Sequence, residues 1–465
     1  MLMMNNRNGM SRLLDVKLMT IWQYFLIYVM YLVPGSTFIL AYAKSTYSYG
    51  IIALFLLTIL VSKKFRESYG VVISFLLLVT TLVTRFLVGG VGLDGLAGLS
   101  CCVLITQLAI CCDVERFLDR WLNVVTFFAI VSVVLWALFR LVPSLAPAIL
   151  GPSYVSVVIG TPPWEVYFHG RGTILYSFLE NHEFRNCGVF TEPGKYQVVL
   201  NSALFILLFM RNHLHIENEA KFRFRLIATV LALITCQSTT GYIGMTLCFV
   251  VYLLAPSKDG AKKIKVYILA LVLLLILGLL IQYWVDPENS VLTVTVFSKL
   301  FSGPESGFDL SAGTGTYREQ MIDVCLELMV SHPLGVGYDA LFRAASAAGD
   351  GLAAAAFVSY AAVYGIVPWL TLMFALFYPA FRWMSLPAAF LFVGLFINTT
   401  LAQTHLLYTG LILVPTYLAI VNGWPIRREV FVKRFSCDGG WATRQSNRLH
   451  LSEFGCTNIA GGNNE

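Results

Sequence analysis

Charge is what this chain of 465 residues has least of: Asp, Glu, Lys and Arg together make up 12% of it, against 57% hydrophobic residues. With a mean hydropathy of +0.73, that scarcity lies outside the range of a soluble globular chain of this length. Metal-ligand spacing is missing as well, because the 10 Cys and 7 His fall in no pattern that resembles a metal site. Cys101, Cys102, Cys111, Cys112, Cys236 and Cys248 sit in or beside apolar runs, where a free thiol behaves as a small hydrophobe, and Cys437 and Cys456 sit in a polar tail. Cys187 and Cys325 are left, in two different polar segments, and sequence alone does not pair them. Internal repeats and low-complexity tracts are absent, apart from the Ala-rich AASAAGDGLAAAAF at 344–357. The net charge of +6 gives little reason to expect a nucleic acid partner.

What the chain has instead is apolar runs. A bilayer core takes roughly 20 apolar residues per helix, fewer where neighbours shield it, and on that basis about twelve spans are expected. They fall near 20–43, 50–62, 69–88, 95–112, 121–142, 196–210, 226–237, 241–255, 266–285, 353–379, 384–402 and 404–423. The expected fold is therefore all-α, a polytopic membrane protein. The first run is too long for a signal-peptide core and has no convincing cleavage site after it, so it reads as retained.

Basic residues orient the bundle, since Lys and Arg in short loops stay in the cytoplasm. With both termini inside, most of the 32 basic residues fall on the cytoplasmic side, including KKFR at 63–66, KFRFR at 221–225, KDGAKKIK at 258–265 and RREVFVKR at 427–434. The excess positive charge is then a topology signal and an attraction to anionic membrane lipid. Six regions follow: N-terminal spans over 1–142, a long outer segment 143–195, central spans over 196–285, a second long outer segment 286–352, C-terminal spans over 353–423 and a cytoplasmic tail 424–465. Function is expected in the two outer segments, where the remaining polar chemistry collects.

RNCGVFTEPGKYQ, residues 185–197, closes the first of them. Thr191 or Glu192 can cap a helix with Pro193 in its first turn, where proline's missing N–H costs nothing. That helix would point its partially positive end outward beside Arg185 and Lys195, which suits an anion, phosphate first among them. The alternative is that both cations reach lipid head groups while Glu192 pairs with one of them. The second outer segment repeats the logic in TGTYREQMIDVCLELMVSHPLGVG at 314–337. Thr314 or Thr316 starts a helix and Arg318 stands in its first turn, a position unfavourable for a cation unless an anion joins it. An amphipathic helix lying on the membrane accounts for the rest of that stretch but not for the arginine.

These residues carry a resemblance. GVFTEPGKYQ leading into a span is similar to the G-x-F-x-E-P-G-x-x-Q signature of bacterial O-antigen and capsule repeat-unit polymerases; QSTTGYIGM (237–245) is similar to the polar turn between two short spans of that family. YREQM and HPLGVGY within 317–338, and YGIVPWL (364–370), resemble blocks shared by these polymerases and O-antigen ligases. The matches cover roughly 185–370 in family order. The His–Asn pair that ligases carry ahead of the last block is replaced by Ala354 and Ala355, which favours polymerase over ligase. An arginine at fixed distance before a glycine, described in some polymerases, is also missing: from Arg171, Arg185, Arg318 and Arg343 the matching positions are His182, Tyr196, Met329 and Ala354.

The resemblance implies a fold like that of GT-C-type glycosyltransferases in the bacterial inner membrane. It implies transfer of a glycan from one undecaprenyl diphosphate carrier to a hydroxyl of a repeat unit on another, without a metal ion or other cofactor, with a chain-length-regulating co-polymerase as a possible partner. Such a reaction needs an anchored anionic leaving group, an acceptor held in line and help with its proton. Arg318 and Arg185 are then expected on the diphosphate with Lys195 as a third cation, since arginine binds phosphate oxygens bidentately. Glu192 is expected to position the acceptor or take its proton, with holding Arg185 an equal alternative. Tyr317, His332, Thr239 and Thr240 are expected to line the site or to pack and cap around it. A lipid-linked oligosaccharide flippase or another transporter is the reading from a different class, disfavoured by the lack of similar halves and by the scarcity of charges within the spans, Arg85 near the end of its span being the main exception.

Overall fold

The computed structural model describes residues 2–43, 46–61, 69–89, 93–151, 155–159, 166–172, 174–215, 218–255, 314–348 and 355–423, with single positions at 91 and 153 and short pieces between 265 and 293. The basic stretches at 63–66, 258–264 and 427–434, the Gly/Ser-rich 297–313, Ala354, the tail from 424 with Cys437 and Cys456, and the side chains of Thr314, Thr316 and Tyr317 lie outside the described residues.

The fold is mostly helical. In chain order the helices are α1 Leu2–Leu32, α2 Thr46–Val61, α3 Tyr69–Leu87, α4 Leu93–Cys112, α5 Val114–Leu141, α6 Leu145–Leu150, α7 Pro193–Phe209, α8 Glu219–Cys236 and α9 Thr239–Leu254. After the central pieces come α10 Thr314–Ser331, α11 Gly337–Ala348, α12 Ala356–Tyr364, α13 Ile366–Trp383, α14 Leu386–Leu401 and α15 Thr409–Asn422. Among the described residues α3, α5 and α13 are long and apolar enough to cross a membrane, and α7, α9, α14 and α15 are shorter apolar helices. The surface fits a multi-pass membrane protein: large apolar side chains such as Phe86 (89% exposed) and Phe374 (70%) face outward, while Gln197, Asn201 and Thr229 are buried. That arrangement inverts the pattern of a soluble domain.

Helix breaks fall where the backbone demands them. The run expected as one span over 20–43 ends as a helix at Leu32, because Pro34 cannot donate and Gly35 takes φ +115°; the chain resumes in a short π-helix, Ile39–Ala43. The run over 353–379 is two helices divided at Gly365, φ +96°. There Ile366 N–H donates to Pro333 O (3.0 Å) and Val336 N–H to Ala362 O (3.0 Å), so the HPLGVG and YGIVPWL stretches lie back to back. The span expected over 404–423 starts only at Thr409, which frees 402–408 as a connection.

One element departs from all-α. Between α6 and α7 lies a three-stranded antiparallel sheet, β1 Val155–Ile159, β2 Val166–Arg171 and β3 Phe178–Leu179 in the order β1-β2-β3, with Val157 opposite Phe168 and Gly170 opposite Leu179. VSVVI and VYFHGR are β-branched and aromatic runs too short for a span, and such side chains favour a pleated surface.

At the centre stands α7, whose residues from Lys195 to Leu208 are all buried. It packs against α5, α8, α9, α14 and α15. Its two ends differ chemically: Glu192 and Lys195 mark one, and Arg211 leads away from the other towards α8.

Candidate functional site

The stretch 185–197 is pinned residue by residue, which is how the start of α7 becomes a site. Asn186, fully buried, donates through Nδ2 to Ser132 Oγ (3.1 Å) on α5 and to Thr235 Oγ1 (2.9 Å) on α8, and its Oδ1 accepts from Gly188 N–H (3.0 Å). Thr37 N–H donates to Val189 O (2.9 Å), so the turn after α1 runs beside 189–191. Phe190 stacks on Tyr196, and the Tyr196 hydroxyl shares a 2.8 Å hydrogen bond with Ser132 Oγ. Glu192 occupies the N-cap position with extended backbone and Pro193 follows at the helix start, as the sequence predicts. The Glu192 side chain, however, makes no capping bond.

It turns to Lys195 instead. Lys195 Nζ lies 3.1 Å from Glu192 Oε1 and donates to Thr191 Oγ1 at 2.9 Å. Its stem crosses Gly35, where a Cβ would stand 2.9 Å from Lys195 Cδ, so a glycine with positive φ is what lets the lysine lie flat. The cation is buried while its carboxylate partner stays one-third open (33%). On the other side, the Gln403 amide presses on Gly194 so closely that any side chain there would collide with it. Tyr408 Oη donates to Gln403 Oε1 (3.3 Å) and Ala356 N–H to Gln403 O (3.1 Å), which fixes the 402–408 connection over the first turn of α7.

Electrostatics bring two further groups to Glu192. Arg318, in the first turns of α10, lies near enough to feel its charge: burial lowers the guanidinium pKa and Glu192 works against that shift. Among the described residues Arg318 has no hydrogen-bonding or ion-pairing partner. His405 keeps solvent-accessible surface, yet the protein crowded around it drives its pKa down, Lys195 pushes the same way and Glu192 opposes, leaving it at about 4. For Glu192 itself burial acts upward, but Lys195 outweighs it, with help from His182 and His405, and the carboxyl ends below its usual range. The result is an ion pair, Glu192 with Lys195, at the N-terminus of a buried helix, with Arg318 and His405 within electrostatic range of the carboxylate but in no described hydrogen bond or ion pair with it. That assembly can hold an anion on Arg318 and Lys195 and accept a hydrogen bond from a hydroxyl at Glu192.

Not every expected residue joins it. Arg185 Nη2 donates to Gln237 O (2.8 Å) at the C-terminus of α8, where Gln237 takes the left-handed conformation (φ 48°). A cation is favourable there, so Arg185 has a structural task with the helix end rather than an ion pair with Glu192. Thr239 and Thr240 form the first turn of α9; Ser238 is the cap, and Thr240 O accepts from Asn398 Nδ2 (3.0 Å), which ties the turn to α14. They stand beside Arg185 through the Gln237 corner. His332 lies past the far end of α10, bonded to Ser331 Oγ (2.9 Å), about 20 Å of helix from Arg318. Cys187 and Cys325 are both free.

Two contributors were missed by sequence reasoning, Gln403 and His405, because AQTHLLY was taken as the edge of a span. Three polar residues in succession between apolar runs were the available signal.

Compared with known proteins, the chain matches no family model and no curated protein.

Proposed function

We propose that the chain is a membrane glycosyltransferase of the polysaccharide repeat-unit polymerase type, with about twelve spans, both termini in the cytoplasm and the Glu192 end of α7 at the outer face of the bacterial inner membrane. One observation carries the reading: Glu192, ion-paired with Lys195, also lies within electrostatic reach of Arg318, which comes from a polar segment more than a hundred residues away in sequence. Two of the stretches that resemble repeat-unit polymerases, 185–197 and 317–338, supply these three residues. A diphosphate leaving group requires positive charge that strengthens as its bridging oxygen is released, and preorganised cations at a helix N-terminus supply it.

In this reading Arg318 grips the diphosphate, its guanidinium having no competing partner among the described residues, and Lys195 adds a fixed charge. The bond between the anomeric carbon and the phosphate oxygen breaks as the acceptor hydroxyl oxygen bonds to that carbon. Glu192 orients that hydroxyl, and its low pKa makes it an acceptor of a hydrogen bond first and of a proton only late in the transfer. His405, whose pKa is driven down to about 4, is neutral at pH 7 and lies within electrostatic range of Glu192. Arg185 and the Thr239–Thr240 turn support the site from behind.

The test is to incubate the purified protein with a defined undecaprenyl-diphosphate-linked repeat unit, with and without chelator. A ladder of longer lipid-linked glycans in both samples is the expected result. Transport of the substrate across a vesicle membrane with no change in its length would contradict the reading.

A further inference from the structure

At the opposite end of the bundle, α1, α5 and α8 border an open cavity of about 260 Å³, lined by Arg116, Arg120, Lys221 and His215 together with Asp119, Asn123 and Tyr24. Its charge is unbalanced by construction. Asp113 is taken by Arg120 (2.9 Å), and Asp119 by Arg225 (3.0 Å) and by the backbone N–H of His215 (2.9 Å). Arg225, only 4% exposed, stands behind the cavity wall, donates also to Asn123 Oδ1 (2.7 Å) and leaves its Nε without a partner. Neither carboxylate is therefore free to meet the remaining cations. Arg116 and Lys221 have no side-chain partner among the described residues.

Both cations also stand where the backbone disfavours them. Arg116 lies in the first turn of α5, capped by Asp113, and Lys221 in the first turn of α8, capped by Asn218. Glu115 and Glu219 share those first turns, but Arg211 takes Glu219 and among the described residues neither Arg116 nor Lys221 is ion-paired, so these exposed cations are open to a further anion. The flanks of the cavity are apolar and outward-facing: Trp22 stacks on Phe25 at 5.3 Å along α1, and Phe224 (57% exposed) and Ile227 (46%) continue the surface on α8. Charge in the cavity and an apolar wall on either side match an anionic head group with its acyl chains lying along the helices.

We infer that this cavity binds a phosphate group, with Arg116 and Lys221 as its contacts and Arg120 and Arg225 neutralising the two nearby aspartates. The inference is independent of the proposed transferase activity, since the cavity and Glu192 lie at opposite ends of α7.

The full-length protein in neutral detergent tests it by native mass spectrometry and thermal unfolding, against phosphatidylglycerol, phosphatidylcholine and inorganic phosphate at matched ionic strength. Preferential retention of phosphatidylglycerol, falling on the order of tenfold or more in R116Q/K221Q and kept in R116K/K221R, identifies a lipid head group. Stabilisation by inorganic phosphate without lipid preference, lost in the same variant, identifies a soluble phosphate compound. R116Q/K221Q should unfold at the wild-type temperature in phosphatidylcholine, because neither side chain has a partner to lose. Equal retention of both lipids by the wild type with no response to phosphate overturns the inference, and so does a R116Q/K221Q protein that holds phosphatidylglycerol as the wild type does.

Discussion

Lys195 and Glu192 form an ion pair in which the two partners differ in their access to water: the ammonium lies 3.1 Å from the carboxylate, with 3% of the lysine side chain exposed against 33% of the glutamate. Removing one partner is then unequal to removing the other. Glu192→Gln leaves a buried cation with neutral acceptors only, Thr191 Oγ1 and the introduced amide oxygen, at a cost of about 1–3 kcal/mol after allowing for the open carboxylate. Lys195→Met leaves a carboxylate that water can reach. Thermal unfolding in detergent should rank wild type above K195M and K195M above E192Q, with the double variant nearer to wild type than E192Q is. An E192Q protein as stable as wild type would show that the pair does not hold α7 at its start.

The two arginines separate by assay. Arg185→Ala removes a charged hydrogen bond at the α8 C-terminus, an expected loss of about 1–3 kcal/mol, and activity should fall with stability. Arg318→Ala removes no bond to a described residue, so the unfolding temperature should stay within a degree or two while chain extension is lost. Equal stability losses in both variants would contradict this division of labour.

Gly194 admits the Gln403 amide against the first turn of α7. Gly194→Ala is expected to push the Gln403 amide aside and lower both stability and activity. Combining it with Gln403→Ala should recover part of the stability, and a double-mutant cycle measures the coupling. Strict additivity would mean that the two residues do not meet.

His405 gives the site a pH signature. Its folded pKa of about 4 lies below the roughly 6.5 of a free histidine, so between those values the unfolded chain binds a proton that the folded chain refuses. Stability must then fall as pH drops through that window. Glu192, whose carboxyl is held below its usual range, adds stability that is present above the ordinary carboxylate pKa and disappears only at lower pH still. Unfolding temperatures measured from pH 7 to pH 4.5 should decline more steeply for wild type than for His405→Asn. Parallel curves would remove His405 from the electrostatic environment of the site.

Much of this was legible in the chain before any coordinates, and the reasons are local. Pro193 after a capping position announces a helix start, and the following apolar run, broken by few polar residues, announces that the helix is buried. Arg318 near the start of a helix is an anomaly that sequence reveals because helix polarity is fixed by chain direction, although the helix begins at Thr314 and makes Arg318 its fifth residue. The bond from Arg185 to the Gln237 carbonyl is not legible for the converse reason: it is set by a left-handed residue at the α8–α9 corner that hydropathy does not register. The sheet over 155–179 was missed because its strands are too short to compete with a search for spans, and His405 because polar residues at a helix end look like the end of the helix. His332 was grouped with Arg318 by proximity in sequence, whereas one straight helix keeps them apart.

Chain extension by Arg318 variants tests the central claim most directly. Purified wild type, R318K and R318A, matched for unfolding temperature, would each be given the same lipid-linked repeat unit and their products resolved by length. A ladder from wild type, with little extension by R318K and none by R318A, is expected if a bidentate guanidinium beside Glu192 and Lys195 holds the departing diphosphate. Full-length ladders from both variants would contradict it.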